Sequence, residues 1–146
     1  MARPIELLAD MHEIKAVVDG IDNSVDVKDW EHCLSLFTEH VHIDFSSLGG
    51  GAPTVVPAAA LVASWRTNLH PGKSSFHLRT NHEINLDGDQ AWVFSKGAGY
   101  NKLGDELWEF WGTYEHTLVR TAGGWKCSAM VFTLTHTRGR DSVRLG

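Results

Sequence analysis

Nine histidines in a chain of 146 residues supply imidazoles that change charge near neutral pH, and His77 has the neighbours most suggestive of chemistry. In the stretch from Ser75 to Leu86 the even positions Phe76, Leu78 and Ile84 are apolar, whereas His77, Arg79, Asn81, Glu83 and Asn85 are polar. Such alternation describes a strand with two unlike faces. The polar face, with a histidine and an asparagine four residues on, is either a solvated outer surface or the wall of a cavity in which His77 acts as a general base. Periodicity does not choose between them. Tyr114 lies on a second stripe with Trp108, Phe110, Gly112, His116 and Leu118; a phenol buried among such residues needs a hydrogen-bonding partner nearby. Asp26 precedes a helical pattern and has Asp29 three residues on, so a helix N-cap explains it without chemistry.

Other constellations carry less. His40 and His42 share one face of a strand, but Ser-Ser-Leu-Gly-Gly follows where a further metal ligand would stand, so a solvated strand entry is expected and no metal site. Gly97-x-Gly99 and the triple glycine at 49–51 lack the lysine of a phosphate loop and the helix of a dinucleotide site. There is no Gly-x-Ser-x-Gly elbow, and Cys33 and Cys127 lie in no nucleophile motif.

The elements that would position these groups follow from spacing. Pro4 opens a helix whose apolar face is Ile5, Leu8, Met11, Ile14, Val18 and Ile21. A second helix is expected through Trp30, Cys33, Leu34 and Phe37, with Asp26 as its cap. Val41 to Phe45 reads as a short strand. Pro57 opens a third helix bearing Leu61, Val62, Trp65 and Leu69, ended by Pro71-Gly72. Thereafter the chain reads as strands: Ser75 to Leu86, a turn at Asp87-Gly88-Asp89, Ala91 to Tyr100, Glu106 to Arg120, a turn at Gly123-Gly124, and Trp125 to His136. Helices followed by a run of antiparallel strands indicate the α+β class, with helices covering one face of a curved sheet.

The length and 42% hydrophobic content indicate one globular domain, here residues 1–137, followed by a basic tail, 138–146, containing Arg138, Arg140 and Arg144. A net charge of −5 has the wrong sign for binding nucleic-acid phosphates. Two isolated cysteines fit neither a disulfide framework nor a zinc site and suggest a reducing compartment. No apolar run at the start resembles a signal peptide and none is long enough to span a bilayer, so a cytoplasmic location is expected.

In order, these segments resemble the SnoaL-like branch of the nuclear-transport-factor-two-like superfamily, and within it scytalone dehydratase-like and dehydrochlorinase-like proteins. The resemblance rests on Val25-Asp26-Val27-Lys28-Asp29-Trp30 with Leu36-Phe37-Thr38-Glu39-His40-Val41, on His77-x-x-Thr80-Asn81, and on Gly88-Asp89-x-Ala91 at the hairpin. Gly112-x-Tyr114, Leu118-Val119-Arg120-Thr121 and Gly123-Gly124-Trp125-Lys126 complete it. It implies a cone-shaped barrel of strongly bent antiparallel sheet around the N-terminal helices, with a central apolar pocket. It further implies that Asp26 orients His77, the base, while Tyr114 or a water it holds assists a departing or polarised oxygen. Trp65, Asn81, Phe110, Met130 and Phe132 would shape the pocket, and His116 is the candidate for the second histidine of the dehydratases. Where some dehydratases carry a tyrosine ahead of the aspartate this chain has Gly20-Ile21-Asp22-Asn23, and where the dehydrochlorinase has an arginine it has Met130. The implied activity is a cofactor-independent elimination or isomerisation of a small, cyclic, partly apolar molecule by a homo-oligomer, dimer or trimer. A ligand-binding or assembly module of the same fold, such as a small-subunit-like partner of a ring-hydroxylating dioxygenase, is the alternative.

Overall fold

The computed structural model describes residues 4–146; residues 1–3, part of the opening stretch read for a leader, lie outside the described residues. Helix α1 (Pro4–Asp26) is the longest helix among the described residues, and α2 (Trp30–Ser35) follows after a short turn. Strand β1 (Phe37–Asp44) leads through a turn at Ser46–Leu48 to β2 (Thr54–Pro57), α3 (Ala58–Asn68) and four long strands. These are β3 (Lys73–Asp87), β4 (Gln90–Leu103), β5 (Glu106–Thr121) and β6 (Gly124–Gly139), and α4 (Asp141–Leu145) ends the chain. Among the described residues no helix is long and apolar enough to cross a membrane.

The α+β expectation holds, with two refinements. The six strands form one sheet in the order β2-β1-β6-β5-β4-β3. It curls without closing, so β2 and β3 remain edges. All pairings are antiparallel except β1 with β6, which run parallel. Bulges bend the strands, and the one between Thr80 and Glu83 on β3 contains Asn81 at φ 56°.

Several local expectations change. Asp29, not Asp26, caps α2: its carboxylate accepts from the His32 N–H at 3.1 Å. Asp26 instead ends α1. Asp29→Ala is therefore expected to cost about 1 kcal/mol, the usual worth of such a cap, on denaturant unfolding. Phe37 belongs to β1 rather than α2, since it pairs with Cys127 on β6. Pro57 ends β2 and stands just before α3, where a missing N–H costs nothing. The last residues form a packed helix, with Val143 only 1% exposed.

The core has two parts. Ile14, Val17 and Val18 of α1 meet Ala91, Val93, Leu118 and Trp125 at one end of the sheet. At the other end α1, α3 and the sheet enclose aromatic residues of β5 and β6. There, glycines allow rings to lie against the backbone. A Cβ on Gly97 would stand 2.6 Å from the Tyr114 ring, on Gly99 3.0 Å from Phe110, and on Gly112 2.6 Å from Phe132 and 2.5 Å from the Thr133 carbonyl oxygen. The Gly97-x-Gly99 pair thus seats an aromatic wall, not a phosphate. Gly112→Ala is expected to destabilise the protein by about 1–3 kcal/mol through overpacking. Gly123→Ala, whose Cβ would approach nothing closer than 3.6 Å, should stay within about 0.5 kcal/mol of wild type. Denaturant titration of both variants checks the contrast.

Candidate active site

A cavity of about 350 Å³ opens between α1, α3, the 45–50 loop and the concave face of the sheet. Its wall contains His77, and the alternation in β3 runs opposite to what apolarity alone suggests. Phe76 and Leu78 are 48% and 61% exposed, whereas Ser75, His77 and Arg79 face inward. Beyond the bulge the parity reverses, and His82, Ile84 and Leu86 turn inward instead. A strand with polar residues on its concave side needs polar partners there, and α1 supplies them.

Asp26 is the first partner. Its Oδ1 lies 2.7 Å from His77 Nδ1 and accepts from Ser75 Oγ at 2.8 Å, while Oδ2 accepts from the His77 backbone N–H at 2.7 Å. An acceptor-only carboxylate fixes the tautomer: Nδ1 carries the proton, and Nε2 is left as the basic nitrogen. Asp26 also sits at the negative end of the α1 dipole, an unfavourable place for an anion, and these donors offset that field. Lys28 holds the approach. From a left-handed turn (φ 60°) its Nζ donates to the carbonyls of His70 at 2.9 Å and Lys73 at 2.7 Å, fixing the start of β3 against the end of α1. Burial is the largest influence on the His77 pKa and lowers it. The hydrogen bond to Asp26 and the charges of Asp22 and Asp26 together outweigh burial, so the pKa lies above the ordinary 6.5.

Arg79 and Asp22 form a second pair, 2.7 Å between Nη2 and Oδ2, with side chains only 3% and 12% exposed. Arg79 Nη1 also donates to Ser95 Oγ at 3.1 Å, and the guanidinium carbon lies 3.9 Å from the Tyr114 ring centroid. Desolvation raises the Tyr114 pKa, so the phenol remains protonated and able to donate. A third pair, His82 Nε2 with Asp19 at 2.8 Å, continues the row. Aspartates 22 and 26 are separated by about 6 Å of helix rise, and residues 79 and 77 by about 6.6 Å of strand. Equal spacing lets successive rungs close.

The structure brings most of the expected residues together. Trp65, His77, Phe110, Tyr114, Met130 and Phe132 all line the cavity, with Asp26 behind His77. Asn81 does not join them: it occupies the bulge and is exposed, because the reversal of parity turns it outward. His116 is buried against Tyr114, ring centroids 5.7 Å apart, without lining the cavity. Burial holds its pKa well below 6.5. His40 and His42 are exposed on β1. Both cysteines are buried, and burial pushes the Cys127 thiol up to about 12, which suits packing rather than nucleophilic attack.

Sequence reasoning placed Trp108 on the Tyr114 stripe without assigning it to the pocket and missed Asp22, Arg79, Asn101 and Arg144 as site residues; all five line the cavity. For two of them a signal existed. Asp22 stands one helical turn before Asp26, and Arg79 is the next same-face residue after His77, so the second pair was implicit in the first.

A family model described as a SnoaL-like domain matches residues 6–131. No curated protein sequence matches the chain. Among solved structures, the Kfla4162 protein from Kribbella flavida superposes with a TM-score of 0.89 at 24% identity, covering 96% of this chain and 99% of that one. A putative aromatic ring hydroxylase from Novosphingobium aromaticivorans gives 0.82 at 24%, covering 98% and 99%. A putative scytalone dehydratase from Novosphingobium aromaticivorans gives 0.79 at 18%, covering 91% and 89%. At these identities the likeness is one of fold.

Proposed function

The chain belongs to the SnoaL-like domain family, and on that premise we propose that it is a cofactor-independent lyase or isomerase acting on a small cyclic, partly apolar molecule. One observation carries the reading: the carboxylate-supported imidazole of His77, 2.7 Å from Asp26, in the wall of an aromatic-lined cavity.

His77 Nε2 takes a proton from a carbon beside an activating group, and the electron pair of the broken C–H bond forms the new double bond. In an elimination the C–O bond on the adjacent carbon breaks, and the oxygen leaves as water after regaining a proton. In an isomerisation the proton returns to another carbon. Asp26 stabilises the imidazolium after the first transfer, an interaction strengthened by the low dielectric of an apolar site. The Tyr114 hydroxyl donates to the departing or polarised oxygen. Trp65, Phe110, Met130 and Phe132 hold the ring. The superposition on a putative scytalone dehydratase is consistent with this chemistry. Two buried free cysteines agree with action in the reducing cytoplasm, and the same reading includes a homo-oligomer.

The test is a panel of hydroxylated and keto ring compounds followed for loss of water or isomerisation, comparing wild type with His77→Ala and Asp26→Asn. Wild type is expected to turn over far faster than either variant, with His77→Ala the slower of the two. Equal turnover by all three proteins overturns the mechanism, and binding without turnover across the panel favours a ligand-binding module.

A further inference from the structure

The three arginines of the C-terminal segment meet different fates. Arg138 pairs with Glu109 and Arg140 with Glu106, each at 2.7 Å on the outer surface. Arg144 makes no ion pair among the described residues. Its guanidinium instead lies 5.5 Å from the Trp108 ring and lines the cavity, and its Nε is buried without a hydrogen-bond partner.

This placement is built into the fold. The Arg144 carbonyl accepts from Lys73 Nζ at 2.7 Å and from Asn68 Nδ2 at 3.0 Å, which fixes α4 against α3 and β3. Val143 anchors the same turn in the core. The ammonium of Lys73, a residue 1% exposed, donates among the described residues to that carbonyl and to Asn68 Oδ1 at 3.1 Å, both uncharged acceptors. Neither cation forms an ion pair among the described residues, and of the two Arg144 lines the cavity. Asp22, the acidic residue in the cavity wall, is committed to Arg79. A partly buried guanidinium with an unpaired donor is costly. A row of rings separates it from the base: His77 to Phe110 is 5.7 Å, Phe110 to Trp108 is 5.3 Å, and Trp108 meets Arg144.

We propose that Arg144 is a specificity-determining residue that selects ring substrates bearing an acid group, with the carboxylate held at the guanidinium and the ring laid along Phe110 and Trp108 toward His77. The assignment rests on the cavity being the substrate site. A forked guanidinium suits a carboxylate, and a desolvated contact makes the charge count.

Isothermal titration with benzoate, cinnamate and 2-naphthoate, each against its primary amide, tests the assignment without requiring turnover. Wild type is expected to bind at least one carboxylate about tenfold or more tighter than its amide, a difference that one charge-assisted hydrogen-bond pair supplies. Arg144→Gln should abolish the preference, Arg144→Lys should retain part of it, and Arg138→Gln, on the outer surface, should leave it intact. Added sodium chloride should weaken the carboxylates and not the amides in the unmodified protein. Equal binding of acid and amide, absence of carboxylate binding, or a preference that survives Arg144→Gln overturns the proposal. Loss of the elimination reading alone would leave the carboxylate preference in place, so the two failures are distinguishable.

Discussion

Turnover is expected to fall about 10²–10⁴-fold in His77→Ala, the usual contribution of a positioned general base, with the fold retained because the imidazole faces a cavity rather than the core. The pH dependence supplies a sharper signature. A general base must be neutral, so kcat/KM should rise with pH through the His77 pKa, which lies above 6.5. Stability moves the other way. An imidazole whose pKa is raised on folding stabilises the native state fully below the unfolded value, and that contribution is lost as pH rises through the folded one. Activity should therefore increase across the same window, above pH 6.5, in which the stabilisation from His77 fades. Asp26→Asn removes a hydrogen bond and a charge that both raise this pKa, so it should lower the midpoint of the profile as well as the rate. It also frees the imidazole to present the wrong tautomer. A pH profile unchanged by Asp26→Asn would contradict the assigned coupling.

Asp22→Ala is expected to destabilise the protein by about 3–5 kcal/mol, because it leaves the buried Arg79 guanidinium without its counter-ion. The pair spans α1 and the edge strand β3, flanked by His77–Asp26 and His82–Asp19. Burial raises the Asp22 pKa and is its largest influence, although Arg79 opposes it; both charges have been taken out of water. The double variant Asp22→Leu/Arg79→Met should recover most of the loss, since a well-packed apolar pair avoids that desolvation. Denaturant unfolding of the two variants decides it: a single-variant loss below about 1 kcal/mol would place the pair among weak surface bridges. The guanidinium also packs on Tyr114, so Arg79 positions the phenol proposed to assist the leaving oxygen.

Much of this site was legible because aromatic and apolar periodicity survives into the tertiary structure. Trp108, Phe110, Gly112, Tyr114, His116 and Leu118 are all inward on β5, as their shared parity requires. The inward face of β3 was not legible on the same grounds. Before the bulge its apolar residues Phe76 and Leu78 lie outside and Ser75, His77 and Arg79 inside, because Asp26 and Asp22 on α1 compensate His77 and Arg79. Hydrophobic patterning assumes that buried faces are apolar, and it fails where a helix brings matched charges. Asn81 marks the same limit: without the bulge it would share the His77 face, and the positive φ that turns it out is a property of the folded sheet. The second role of the C-terminal segment was also hidden, since three arginines in a row of nine residues read only as basic.

The sequence by itself determined the α+β class, the order of the first three helices and of five of the six strands, the aromatic stripe of β5 and the Asp26 and His77 pair through resemblance. Local periodicity, turn residues and ordered motifs carry that information along the chain. Only the tertiary structure decided which face of β3 is inside, that Asp29 rather than Asp26 caps α2, and that Arg144 reaches the cavity while Arg138 and Arg140 do not. Those outcomes depend on distances between residues remote in sequence, which are set when α1 and α4 pack on a curled sheet and each buried charge must find, or lack, a partner.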